Sequence, residues 1–206
     1  MDQTVVTRPE TVPDEGAATL LRLTAEQVGA MCDAGVFGGV DGRVELREGL
    51  LYKMRPLYVP HAVATAAIHE ALRDALLRLG STLTVLPGAS VRVGAHNLPI
   101  PDILVWEPMR TCAFVPVERV RFVVEICGTT HADDLGTKPG LYARGGIPEY
   151  WVVDLPGRAI HQRWAPADGA YAQARVVAFG EPVTSATLPD VVIATAALLD
   201  ADAPEA

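Results

Sequence analysis

Two short runs, DILVW (102–106) and RFVVEIC (121–127), are apolar at consecutive positions, not at alternate ones. A strand with one wet face alternates; a strand covered on both faces does not. A chain with two such strands needs a sheet with layers on both sides. The long segment from His61 to Leu79 supplies one layer. Its Ala64, Ala67, Ile68, Ala71, Leu72, Ala75, Leu76 and Leu79 recur at helical spacing, and Gly80 stops it.

The remaining pattern fits around these pieces. Thr24 and Gln27 form a capping-box signature for a short helix reaching about Ala34. RVELREGLLYKM (43–54) reads as a hairpin turning at Glu48-Gly49, and STLTVLPGASVRV as two strands broken at Pro87-Gly88. DDLGTKPGLYAR returns to a helical pattern. EYWVVD and AIHQRW flank LPGR as a hairpin, YAQARVVAF is a further strand, and ATAALL a short final helix. The expectation is one mixed α/β domain over 19–200, with tails at 1–18 and 201–206.

The continuous strands raise a chemical question, because each carries one acid. Asp102 follows Pro101 at the mouth of the first, and Glu125 sits among Val123, Val124 and Ile126 in the second. Period two puts Val123, Glu125 and Cys127 on one face. Two buried acids on neighbouring strands either share a raised pKa or hold a cation. Carboxylate oxygens with room for water suit Mg²⁺ or Mn²⁺ better than zinc. Taken singly, Asp102 could instead accept backbone N–H bonds, and Glu125 could pair with Arg121 or Arg144.

Of the 17 basic residues only Lys53 and Lys138 are lysines. Lys138 follows the acidic strands, where an ammonium could orient water or balance charge on a phosphorane-like transition state. Pro139 puts Lys138 at a helix N-cap, with its amine turned inward or left in water. A net charge of −8 weighs against sequence-blind nucleic-acid binding over a broad basic face. No apolar run is long enough for a membrane span and the N-terminus lacks a signal pattern, so a cytoplasmic location is expected. The three cysteines are far apart, which argues against a disulfide framework; Cys32 and Cys112 read as small buried hydrophobes. Glu45 alternates with Val44 and Leu46 on a hairpin strand and by itself reads as exposed. Asp133-Asp134 reads as charge favouring a helix N-terminus.

PIPDILVW, FVVEIC and DDLGTKPGLYARGGIPEYWVVDLPGRAIHQRW together resemble the Uma-type family of restriction-endonuclease-like proteins, itself similar to the PD-(D/E)xK nuclease superfamily. The resemblance runs from about Leu23 to Leu199. It implies a restriction-endonuclease-like α/β fold: a mixed central β-sheet with flanking helices. It implies a metal-dependent endonuclease hydrolysing phosphodiester bonds in DNA, with Mg²⁺ (or Mn²⁺) as cofactor; apart from the resemblance, edge strands and EYWVVD could pair across a two-fold, and a homodimer is expected. Asp102 and Glu125 match the family's metal ligands, the Ile126 carbonyl would be a third oxygen, and Lys138 matches the family's lysine. Glu45 and His61 match an upstream Glu and His that complete or border the site. The wider superfamily carries its lysine two residues after the acid, where this chain has Cys127. The alternative is a dimeric nuclease fold that binds or regulates without cleaving.

Overall fold

The computed structural model describes residues 19–40, 42–54, 58–128 and 133–199; the expected tails and His131 lie outside them. In chain order the elements are α1 (Ala25–Asp33), β1 (Val44–Arg47), β2 (Leu50–Lys53), α2 (Val59–Arg78), β3 (Thr84–Pro87), β4 (Val91–Arg92), β5 (Ile103–Trp106), β6 (Val115–Pro116) and β7 (Val120–Cys127). A π-helical turn (Asp133–Thr137) leads into α3 (Lys138–Arg144), followed by β8 (Glu149–Asp154), β9 (Ala159–Ala167), β10 (Ala170–Ala178), β11 (Val183–Thr184), β12 (Val192–Ile193) and a final 3₁₀ turn (Ala196–Leu199).

Six strands form the central sheet in the order β10-β9-β8-β7-β5-β3. Only β7 and β8 run parallel; every other neighbouring pair is antiparallel, so the sheet is mixed. The continuous apolar runs are the central strands, and every residue of β5 and β8 is buried. On one face Phe122, Val124, Ile126, Trp151 and Val153 pack against Ala64, Ile68, Leu72, Ala75 and Leu76 of α2. On the other, Val123, Cys127, Tyr150 and Val152 pack against Leu141 and Tyr142 of α3. Each fully buried Leu, Ile or Phe stabilises this arrangement by about 1.5–3 kcal/mol.

Local signals account for the edges of the elements. Thr24 caps α1, its hydroxyl accepting from the Gln27 N–H while Gln27 Oε1 accepts from the Thr24 N–H. Glu48 and Gly49 both have positive φ (50° and 81°), the geometry of a tight hairpin turn between β1 and β2. Helix α2 begins at Val59, two residues before the expected start, because Pro60 fits the first turn of a helix. The DDLGTKPGLYAR helix is split, its first five residues being π-helical.

Three expectations are corrected. Cys32 and Cys112 are exposed, and Cys127 alone is buried; α1 and the loop bearing Cys112 lie outside the two main clusters of the core. Glu45 is also not exposed. Both Glu45 and Leu46 are buried, because the hairpin folds onto residues 98–100.

Glu149 ties the C-terminal segment to the sheet. Fully buried on β8, it accepts hydrogen bonds from the Trp151 and Gln162 side chains, the Ser185 and Thr187 hydroxyls, and the Ala186 and Thr187 N–H groups.

Candidate active site

The register of β5 and β7 brings the two acids together. Ile103 pairs with Val124 and Leu104 with Val123. One further step along this antiparallel ladder brings Asp102, just before β5, level with Glu125, and both acids line one cavity. Asp102 Oδ2 accepts from the Ile126 N–H at 2.8 Å and lies 3.0 Å from His61 Nε2. Its Oδ1 has the Arg43 guanidinium at 3.6 Å. Burial would raise the Asp102 pKa, but the His61 hydrogen bond and charge, the Ile126 N–H and the Lys138 charge outweigh it and hold the acid below its usual range. His61 sits in the first turn of α2, and its carbonyl accepts from the Thr65 hydroxyl at 2.8 Å.

Glu125 is 2% exposed. Its Oε1 accepts from the Tyr142 hydroxyl at 2.7 Å and lies 3.1 Å from Lys138 Nζ. Among the described residues none donates to Oε2. Burial pushes Glu125 up to about 8; Lys138 opposes the rise, while Asp102, Asp134 and Glu45 add to it. Lys138, 6% exposed, is turned inward and lies 2.8 Å from Asp134 Oδ1. Burial alone would lower its pKa, but Glu125 and Asp134 raise it well above the ordinary lysine value, so it stays an ammonium. Pro139 does not prevent this: α3 starts at Lys138 itself, with Pro139 in the first turn. The β7–β8 crossover thus delivers an amine from the helix into the side of the strand that bears Glu125. Cys127, two residues on and on the same face, is fully buried in the core.

Glu45 braces the approach to this pair. Its Oε1 accepts from the Ile100 N–H at 3.0 Å, two residues before Asp102. Its Oε2 receives Arg47, whose Nη1 reaches Asp133 Oδ2 at 2.6 Å. Arg47 therefore joins the hairpin to the π turn that carries Asp134 and leads into Lys138. Sequence reasoning placed neither Arg47 nor Tyr142 in the site and read Asp134 only as charge at a helix N-terminus. Asp134, Lys138 and Tyr142 are each four residues apart, a spacing that puts side chains on one helical face.

Asp102, Glu125, Lys138, Glu45 and His61 all line one cavity of about 610 Å³, together with Ile126, Asp133 and Asp134. Among the described residues, no three His, Cys, Asp or Glu side chains form a ready-made metal cluster. The donor set is instead two carboxylates: Glu125, whose Oε1 alone takes the Tyr142 and Lys138 contacts, and Asp102, whose Oδ1 faces only the Arg43 guanidinium at 3.6 Å. The Ile126 carbonyl shares the strand edge of its N–H, which already faces Asp102. Three hard oxygens and space for water fit a cation that dehydrates reluctantly, as Mg²⁺ does, and not a closed cage.

Comparison with known proteins agrees with this architecture. None of the curated proteins matches the chain. A crystal structure of a "putative nuclease belonging to DUF820" from Anabaena variabilis ATCC 29413 superposes with a TM-score of 0.62. The match covers 81% of this chain and 97% of that one at 14% identity, a likeness of fold. No helix among the described residues is long and apolar enough to cross a membrane. Residues 26–197 match the Uma2 family, described as "Putative restriction endonuclease". With that match spanning most of its length and a restriction-endonuclease-like mixed sheet beneath it, the chain belongs to the Uma2 family.

Proposed function

We propose that this protein hydrolyses phosphodiester bonds in DNA with the help of Mg²⁺ or Mn²⁺. The observation that carries the reading is the meeting of Asp102 and Glu125 in one cavity with the Lys138 ammonium 3.1 Å from Glu125. Asp102, Glu125 and the Ile126 carbonyl would hold the cation, which when bound neutralises the scissile phosphate and acidifies a water. Asp102 suits a ligand that must be ionised, because its donors keep it charged. Glu125 has to lose its proton first, and Lys138 assists that loss.

Lys138 has three N–H donors. Glu125 and Asp134 take two; the third remains for a nucleophilic water or a phosphate oxygen. Since both carboxylates hold the amine protonated, it donates and does not abstract. His61 fixes the Asp102 carboxylate, and Glu45 fixes the backbone leading to it.

The test is incubation of purified protein with plasmid DNA and Mg²⁺ or Mn²⁺. Nicking or linearisation that disappears in Asp102→Ala and Glu125→Ala is the expected result. Cleavage at equal rate in those variants, or none by the wild type across supercoiled, linear and single-stranded substrates, refutes the reading.

A further inference from the structure

The mouth of the cavity has a different chemistry from its floor. Tyr52 on β2 and Tyr58 before α2 line it while being 44% and 71% exposed. Exposed aromatics beside a recessed polar site contribute little to a core, but they offer flat faces to a planar ligand. The Arg47 guanidinium lies 5.5 Å from the Tyr52 ring centroid. Because Glu45 and Asp133 pin Arg47, the ring stands on a fixed base. Arg43 and Lys53 line the same cavity; Lys53 is exposed, and the half-buried Arg43 bridges mouth and floor, its guanidinium 3.6 Å from Asp102 Oδ1.

The floor is deep. Asp102 is 8% exposed and Glu125 2%. A cavity of about 610 Å³ belongs to the size class that encloses one small ligand. A single strand is narrower and more flexible than a duplex, so it follows a recess of this size down to the acids more readily. The charge balance points the same way. At −8 the chain offers little of the broad attraction on which duplex binding rests. Stacking on aromatic side chains substitutes for it, and stacking needs unpaired bases.

We propose that this site takes single-stranded DNA, with bases stacked on Tyr52 and Tyr58 and the backbone held by Arg43 and Lys53. The inference builds on the nuclease reading for the purpose of the cavity, but its test does not need cleavage. Fluorescence anisotropy with labelled dT12, rU12 and a blunt 12-base-pair duplex, with Ca²⁺ in place of Mg²⁺, gives three affinities. Binding of dT12 at least about tenfold tighter than duplex is expected, from the stacking that a duplex cannot offer. Tyr52→Ala and Tyr58→Ala should each weaken dT12 by about 5- to 150-fold, while the corresponding Phe variants stay within about threefold of wild type because the ring face is kept. With two cationic contacts, the logarithmic salt slope should be near −1.4, at about −0.7 for each.

Duplex binding as tight as dT12, Ala variants that bind like wild type, or no binding to any strand overturns the inference. Binding of rU12 at equal or greater strength overturns the assignment to DNA. A protein that binds dT12 through its tyrosines yet cleaves nothing refutes the nuclease reading and leaves this one standing. Plasmid cleavage undiminished in the Tyr52→Ala/Tyr58→Ala double variant does the reverse.

Discussion

Replacing Lys138 by Met removes the one charge that lies between Glu125 and Asp134, and the structure sets the size and pH dependence of the loss. At pH 7 a carboxyl titrating at about 8 is protonated in roughly nine molecules of ten. The ammonium therefore acts mainly on Asp134, 2.8 Å away, at that pH. Breaking a buried pair costs about 3–5 kcal/mol. The low end, about 3 kcal/mol, applies because Asp134 keeps other contacts. Glu125 then adds a pH term of definite sign. Its folded pKa lies above the unfolded value of 4.5, so the folded state holds a proton that the unfolded chain releases. Stability falls by about 1.4 kcal/mol per pH unit across the window between the two values. In the wild type the fall ends near pH 8. Without Lys138 the Glu125 pKa climbs further and the fall continues, so the deficit should widen between pH 8 and 9 by up to about 1.4 kcal/mol. Urea denaturation of both proteins at pH 7 and pH 9, followed by circular dichroism, measures this. A deficit under about 1 kcal/mol at pH 7, the range of exposed ion pairs, or one that narrows at pH 9, would refute the reasoning.

Calorimetric Mn²⁺ affinity should rise about tenfold per pH unit up to pH 8 and then level off, since Glu125 must release its proton to bind; a flat profile would exclude Glu125 as a ligand. His61→Ala takes one donor from Asp102 and should weaken Mn²⁺ by about 10- to 100-fold; unchanged affinity would show that His61 does not orient the carboxylate. Glu149→Gln turns an amide N–H toward a ring of donors, which costs about 3 kcal/mol. The melting temperature should then fall by roughly 6–12 °C, and a shift under about 2 °C would mean the tie to the C-terminal segment is dispensable.

The central strands were legible because burial on both faces leaves a mark that needs no partner to interpret. Asp102 and Glu125 stood out for the same reason, as charges where the pattern allows none. Lys138 could be suspected but not aimed: its direction depends on a π turn, and no periodicity in DDLGT announces one. Arg47 could have been found by asking what lies two residues from Glu45 on the same face of a strand. Glu45 itself was misread, since alternation says which residues share a face but not which face meets the rest of the protein. The cysteines failed differently: small and sulfur-bearing suggests an interior, yet α1 presents Cys32 to solvent because only Ala25 and Val28 of that helix are buried.

The amine in this protein and the acid beside it belong to separate pieces of chain. A lysine two positions along β7 would be locked in phase with Glu125 by the pleat itself. Carried by α3, it is instead indexed to the sheet through the short π-helical stretch and its clasp to Arg47. One residue gained or lost there would rotate the amine by about 100° around the helix axis and leave every strand untouched. A chain built this way can withdraw that positive charge while its scaffold stays intact.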